Sequence, residues 1–331
     1  MKKMINMTHI EGLLYEHALE LKESGPKSKN PGTKFISGTI SIATDDACTN
    51  IVPVHFTYVT ATTSKGSTNA TFTTLTNIID GKFGSIMANG KDNAVKLRID
   101  SALALNEFYS DRNGKEELVS VKRNEGGFVH VADALAEEEK TRDTFTCDML
   151  ITGVMHLDED EEKHTPEKAI VRGAIFDFRN ALLPVEFSAV NKGAIQYFEG
   201  LEASNQSPVL TKIWGRQVSE TIVNTITEES AFGESSIREV KSSRKDFVIT
   251  GAAKEPYIWD DESTMTATEL SEAIAARETY LATIKQRQDE YKASKAAGTA
   301  NAAPAPSKQA FNFELITPPL YEGEADLKII E

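Results

Sequence analysis

The sequence predicts a mainly β protein built as two tandem five-stranded barrels, with peripheral helices before and after them. Three observations predict it. Apolar and polar residues alternate with a period of two through two blocks, and clusters of Asp, Asn, Gly and Ser cut each block into five short segments. In the second block a helix-patterned stretch, NKGAIQYFEGL, falls between the third and fourth segments. The short cores FISGTI, LITGVM and VITGAA recur across the two blocks, which suggests duplication. Five strands with a helix between the third and fourth is the order of an OB-fold, a partly open Greek-key barrel.

The elements follow in order. Thr8 with Glu11 three residues on has the form of a capping box, and Ile10, Leu13, Leu14, Ala18 and Leu21 form an apolar stripe. A helix of about 15 residues is expected there, ending before Gly25, with GPKSKNPGT as a loop. From Lys34 the period becomes two, and KFISGTISIA, IVPVHFTYVT, ATFTTLT, AVKLRIDSALAL and ELVSVKR…GGFVHVAD read as strands. The inserted helix of this block is the least defined, near LTNIIDG, and ADALAEEEKTRD beyond Val131 reads as helical and acidic. The second block reads DMLITGVMHL, KAIVRGAIFDF, LLPVEFSAV, the helix NKGAIQYFEGL, PVLTKIWGRQV and SRKDFVITGAA. A further helix starts at Thr266, with a capping box to Glu269. Its stripe of Leu270, Ile274, Leu281, Ile284 and Tyr291 is broken by Arg277 and Gln288, so it is expected to pack on the second barrel rather than form a coiled coil. The organisation is then a helix and loop at 1–33, barrels at 34–143 and 144–255, a helix at 256–295, and an Ala/Pro linker with an acidic tail at 296–331.

Successive side chains of a strand go to opposite faces. In KAIVRGAIFDF, Val171, Gly173 and Ile175 share one face, and Lys168, Arg172, Phe176 and Phe178 the other. In PVLTKIWGRQV, Val209 and Ile213 oppose Lys212, Trp214 and Arg216. One face is small and aliphatic, the face that packs. The other mixes rings with cations, which is what a surface needs to stack bases and neutralise phosphates of a single strand. The plainer alternative is an amphipathic strand pair whose rings are core and whose cations are merely solvated.

Composition bounds the rest. Hydrophobic residues make up 40% and charged residues 26% of 331, globular values for a chain with room for two domains. No run of about 18 apolar residues spans a membrane, and the charged N-terminus does not read as a signal peptide. Cys48 and Cys147 lack neighbours at ligand spacing, which suggests a reducing compartment and no structural zinc. The net charge of −14 is uneven. Residues 34–132 carry 10 basic and 10 acidic side chains and residues 166–254 carry 11 of each, whereas 133–165 carry 3 against 11 and 255–331 carry 7 against 14. Screening over about 8 Å makes local charge decisive, so two neutral blocks remain compatible with nucleic acid. There is no GxxxxGK[ST], no HExxH, and DEDEE at 158–162 lacks the spaced ligands of a calcium loop, so no catalysis, cofactor or metal is expected.

The segments VRGAIFDF…LLPVEFSAV, KGAIQYFEGLEASNQSPVLTKIWGRQV, TEESAFGE…REVKSSRKDFVITGA and ELVSVKRNEGGFVHVADAL resemble tandem-OB proteins encoded by phages and mobile elements of Gram-positive bacteria. The likeness covers residues 34–255. It implies a non-enzymatic single-stranded DNA-binding protein of phage replication or recombination, acting in the bacterial cytoplasm. Backbone contacts are expected from Lys96, Arg98, Lys122 and Arg123 in the first block, and from Arg172, Arg179, Lys212, Arg216, Lys241, Arg244 and Lys245 in the second. Stacking is expected from Phe176, Phe178 and Trp214, with Phe56 and Tyr58 as further rings. The acidic tail is similar to those by which bacterial single-strand-binding proteins recruit replication and repair enzymes. It departs from them by ending Lys328-Ile-Ile-Glu instead of in Asp residues followed by Pro-Phe. Homo-oligomerisation through barrel edges or the C-terminal helix is also open. Two other classes compete: a virion structural protein, and an acidic inhibitor of a host protein.

Overall fold

The computed structural model describes residues 3–26, 28–112, 115–159, 166–228, 236–258 and 260–296, with the side chains at 111–112, 219–228, 236–244 and 295–296 outside that description. The linker and tail at 297–331, and most of the DEDEE run, lie outside the described residues.

The first barrel uses β1 (Asn6–Glu23), β2 (Lys34–Ala43), β3 (Ile51–Thr60), β4 (Lys96–Arg112) and β5 (Lys115–Val131). β1 pairs with both β2 and β4, and β3 meets β5 in parallel, closing the circuit β1-β2-β3-β5-β4. The second uses β6 (Asp143–Leu157), β7 (Lys168–Phe176), β8 (Leu182–Ala189), β9 (Val209–Glu228) and β10 (Ser236–Ala252), with β6 pairing β9 and β8 meeting β10 in parallel. That is the same circuit, so the chain is two tandem OB-folds. In each, a helix between the third and fourth strands closes the base. α1 (Ala70–Ile79) is capped by the Asn69 side chain and buries Leu75 and Ile78. α3 (Lys192–Gly200) is capped by Asn191 and buries Ile195 and Phe198, and a single turn α2 (Ile86–Asn89) lies between α1 and β4.

Three expectations are corrected. The N-terminal segment is a strand, not a helix. Its stripe satisfies both periods, and pairing with three neighbouring strands outweighs local helix preference. The supposed capping residues serve otherwise: the Thr8 hydroxyl bonds the Ser101 hydroxyl at 2.6 Å, and the Glu11 carboxylate accepts from the Ala136 backbone N–H. ATFTTLT, expected as a strand, opens α1, because Phe72, Leu75 and Ile79 at helical spacing pack into the barrel. ADALAEEEKTRD forms only a 3₁₀ turn at Glu139–Thr141.

The recurring cores have a different meaning from duplication. They sit in β2, β6 and β10, which are not equivalent strands of the two barrels. Each marks a bulge: the register shifts between Ile36 and Gly38, between Ile151 and Gly153, and between Ile249 and Gly251. Isoleucine-polar-glycine is thus the local device that bends a strand around a small barrel.

The barrels are joined by one sheet and two exchanged arms. Residues Asn6 to Ile10 of β1 pair with Cys147 to Asp143 of β6, so all ten strands form a continuous sheet. The β4–β5 hairpin runs past its own barrel and contributes Leu103 and Leu105 to the core of the second. In return, on the β9–β10 hairpin, the Gln217 side-chain oxygen accepts from Asn124 at 2.8 Å and its backbone carbonyl accepts from Asn50 at 3.2 Å. α4 (Ala267–Ala296) begins with the expected capping box, the Thr266 N–H donating to Glu269 at 3.0 Å and the Glu269 N–H to the Thr266 hydroxyl at 3.2 Å. Its first turns cover the outside of the second barrel through Leu270, and it then runs along the β4–β5 arm.

Candidate nucleic-acid interface

β9 sends Ile213 into the second barrel and turns Lys212, Trp214 and Arg216 outward. Trp214 is 41% exposed. Its indole lies on Gly251 of β10, where an added Cβ would meet the ring at 2.4 Å. The bulge in β10 is therefore the seat of the ring. Arg216 reaches Asp143 with Nε at 2.8 Å and Nη2 at 3.1 Å, and its side chain stays about a third exposed. Asp143 is fully buried and also accepts from Asn50. Burial pushes the Asp143 carboxyl up, against the pull of Arg216. Lys212 is half-buried, opposite Asp148 of β6.

Alternation places Phe176 on the outward face, yet it is completely buried. Leu182, Met265 and Leu270 cover it, and Tyr257 packs beside them, so no base reaches this ring. The cover is anchored: the Tyr257 N–H donates to the Leu210 carbonyl at 2.8 Å, and its hydroxyl donates to Asp148 at 2.9 Å. Burial, followed by that hydrogen bond, pushes the Tyr257 phenol up to about 12. A pKa raised in the folded state gives stability that is present below pH ~10 and lost as pH rises toward 12. Tyr257→Phe should therefore lower stability at neutral pH by about 1–3 kcal/mol, because it removes a donor from buried Asp148. It should also flatten the stability decline between pH ~10 and 12, as read by urea titrations across that range.

Lys122 and Arg172 converge on one residue. Arg172 pairs with the Glu186 carboxylate at 2.8 Å, and the Lys122 ammonium donates to the Glu186 carbonyl. Lys122 lies 5.3 Å from the Phe187 ring and 5.1 Å from the Phe247 ring, and its burial pushes its pKa down. Lys122 joins the arm to the second barrel and is removed from any phosphate, whereas Arg172 ties β7 to β8 within that barrel. Arg123 is held by Glu125 at 2.8 Å. Phe178 is 68% exposed on the β7–β8 turn, with the Arg179 guanidinium 4.9 Å from its ring centre. Lys96 and Arg98 are exposed on β4, and Lys96 donates to the Asp133 carbonyl at 3.1 Å. Lys245 is exposed on β10 near His55, whose pKa is lowered first by burial and then by Arg123. Lys241 and Arg244 lie on the β10 backbone, and their side chains are outside the described residues. Phe56 is core at 2% exposure, whereas Tyr58 is exposed against Phe35 with ring centres 4.5 Å apart.

The arrangement thus unites Lys212, Trp214 and Arg216 on one face, and places Phe178 with Arg179 at a separate corner. Sequence reasoning missed the neighbours of that face on β1 and β5. Met7 is 58% exposed and pairs with Thr146, which pairs with Trp214. Phe128 is 68% exposed opposite Asp100. The available signal was the alternation in GGFVHV, which sets Phe128 and His130 against core Val129. Among the described residues no helix is long and apolar enough to cross a membrane, and no three His, Cys, Asp or Glu side chains cluster as a metal site.

The family model described as YorF matches residues 5–287. No curated protein matches the sequence. Two solved structures similar to this chain are forms of the single-stranded DNA binding protein from Thermus aquaticus. A deletion mutant shows 9% identity and a TM-score of 0.42, over 80% of this chain and 100% of that one. The wild type shows 9% identity and a TM-score of 0.41, over 77% of this chain and 95% of that one.

Proposed function

The chain belongs to the YorF family, and for it we propose a non-enzymatic role in binding single-stranded DNA during phage replication or recombination, in the bacterial cytoplasm. The observation that carries this is Trp214, a large ring held half out of the second barrel with Lys212 and Arg216 on the same strand face. An exposed indole costs solvation unless something covers it, and a base offers a matching π-face. The cations beside it supply the phosphate contacts that a stacked strand requires. The OB barrel is a fold on which oligonucleotides are bound at one face, which agrees with this assignment by analogy of fold. Recruitment of replication or recombination proteins by the tail belongs to the same proposal and falls on residues outside the described set.

The test is fluorescence anisotropy with single- and double-stranded oligonucleotides at two salt concentrations. If Lys96, Arg98, Lys212 and Arg216 each neutralise one phosphate, log K should fall with log salt at a slope of about −3. Affinity for the single strand should then drop about 50-fold between roughly 50 and 200 mM salt. Equal affinity for duplex and single strand, or no binding at the lower salt, would overturn the assignment.

A further inference from the structure

The outer surfaces of β9, β6, β1, β4 and β5 form one uninterrupted face across the junction of the barrels. A single register row crosses all five strands: Arg216 pairs with Thr144, Thr144 with His9, His9 with Asp100, and Asp100 with Phe128. One row to the side lie Trp214, Thr146 and Met7. One row to the other lie Glu11, Arg98 and His130. From β9 to β5 is four strand steps, or ~19 Å along the sheet.

The two ends of this face are alike. At one, Trp214 has Lys212 and Arg216 two residues away on its strand. At the other, Phe128 is 68% exposed, with Arg98 two residues from its paired neighbour Asp100. Phe128 is held out because Gly127 before it, at φ +103°, presses against the Asp100 carbonyl, where an added Cβ would sit 2.2 Å from the oxygen. The exposed Phe128 ring offers a base the same kind of π-face as the Trp214 indole. The middle carries two carboxylates, Asp100 and Glu11. His9 engages both, with Nδ1 at 2.8 Å from Asp100 and Nε2 at 3.4 Å from Glu11. Lys212 and Arg216 thus lie on β9, whereas Lys96 and Arg98 share the outward side of β4 with Asp100, and Arg98 pairs across to Glu11.

We infer that the bound single strand crosses from the second barrel to the first over β1, stacking on Trp214 at one end and on Phe128 at the other. This rests on the single-stranded DNA reading of Trp214 and adds the path and the second station. Phosphates are gripped by Lys212 and Arg216 on β9 and by Arg98 and Lys96 on β4. Over the centre the strand turns bases, which carry N–H donors, toward Asp100 and His9, and keeps phosphates away from the carboxylates.

The experiment compares the full-length chain with Phe128→Ala, Trp214→Ala and the double variant, using an oligothymidylate of about 16 nucleotides. Phe128 is 68% exposed and belongs to none of the core clusters among the described residues, so its variant should melt at the wild-type temperature. It should bind about 5- to 150-fold more weakly, and the double variant should lose roughly the product of the two factors. Photo-cross-linking with single 5-iodouracil substitutions should yield both Trp214 and Phe128 adducts, from different positions of the same oligonucleotide. Wild-type affinity in Phe128→Ala alongside weakened Trp214→Ala would overturn the path and leave the binding function standing. Failure of the wild type to bind single strands would remove the function and the path together.

Discussion

Trp214→Ala should weaken single-stranded DNA binding about 5- to 150-fold while leaving the barrel folded. The range corresponds to roughly 1–3 kcal/mol for one stacked base. Folding should survive because the indole is 41% exposed and sits on Gly251 outside the barrel, whereas the core beneath is built from Phe145, Ile213 and Ile249. Trp214→Phe keeps a ring and should retain most of the affinity, which separates stacking from general hydrophobic contact. Anisotropy titration gives the affinity, and a thermal melt checks the fold. A variant that unfolds would show that the indole supports the barrel instead of a ligand.

Arg277→Ala should destabilise the protein by about 3–5 kcal/mol, the cost of leaving a buried charge without its partner. Arg277 and Glu107 are a buried pair between α4 and the β4–β5 arm, with side-chain exposures of 4% and 1% and Nη1 at 2.7 Å from Oε2. Removing the guanidinium strands the Glu107 carboxylate under the helix. Detachment of α4 would let water reach Glu107 and limit the loss, so hydrogen exchange on α4 should rise first. Replacing both residues by apolar ones of similar volume, Arg277→Met with Glu107→Leu, should recover most of the stability. Urea denaturation of the two single variants and the double one measures this. Equal losses in single and double variants would sink the account.

The second barrel was legible strand by strand. Its segments alternate cleanly because one side meets a core and the other meets solvent, and that contrast is written locally. The first barrel lost its opening strand to a helix because Ile10, Leu14 and Ala18 satisfy both periods. Only the three strands that bracket β1 decide between them. The same holds for α1, where β-branched residues disguise a helix that Asn69 caps and the barrel base accepts.

The site divides along the same line. Alternation alone put Lys212, Trp214 and Arg216 on one outward face. It also put Phe176 outward, and there it failed: the residues that seal Phe176 come from the segment around Met265 and Leu270. Lys122 failed for the same cause, because Glu186, which binds it, is 64 residues away. A charge looks solvated in sequence until its partner is known.

By itself the chain determined its β period, the helix that closes the second barrel, the capping box of α4, the triplets that place its bulges, and a strand face of indole and cations. Those are local matters of spacing and backbone geometry. Which ring stays open, which cation is spent on a carboxylate, and which surfaces join across β1 were decided only by tertiary structure. Each depends on an encounter between segments that the folded sheet alone brings together.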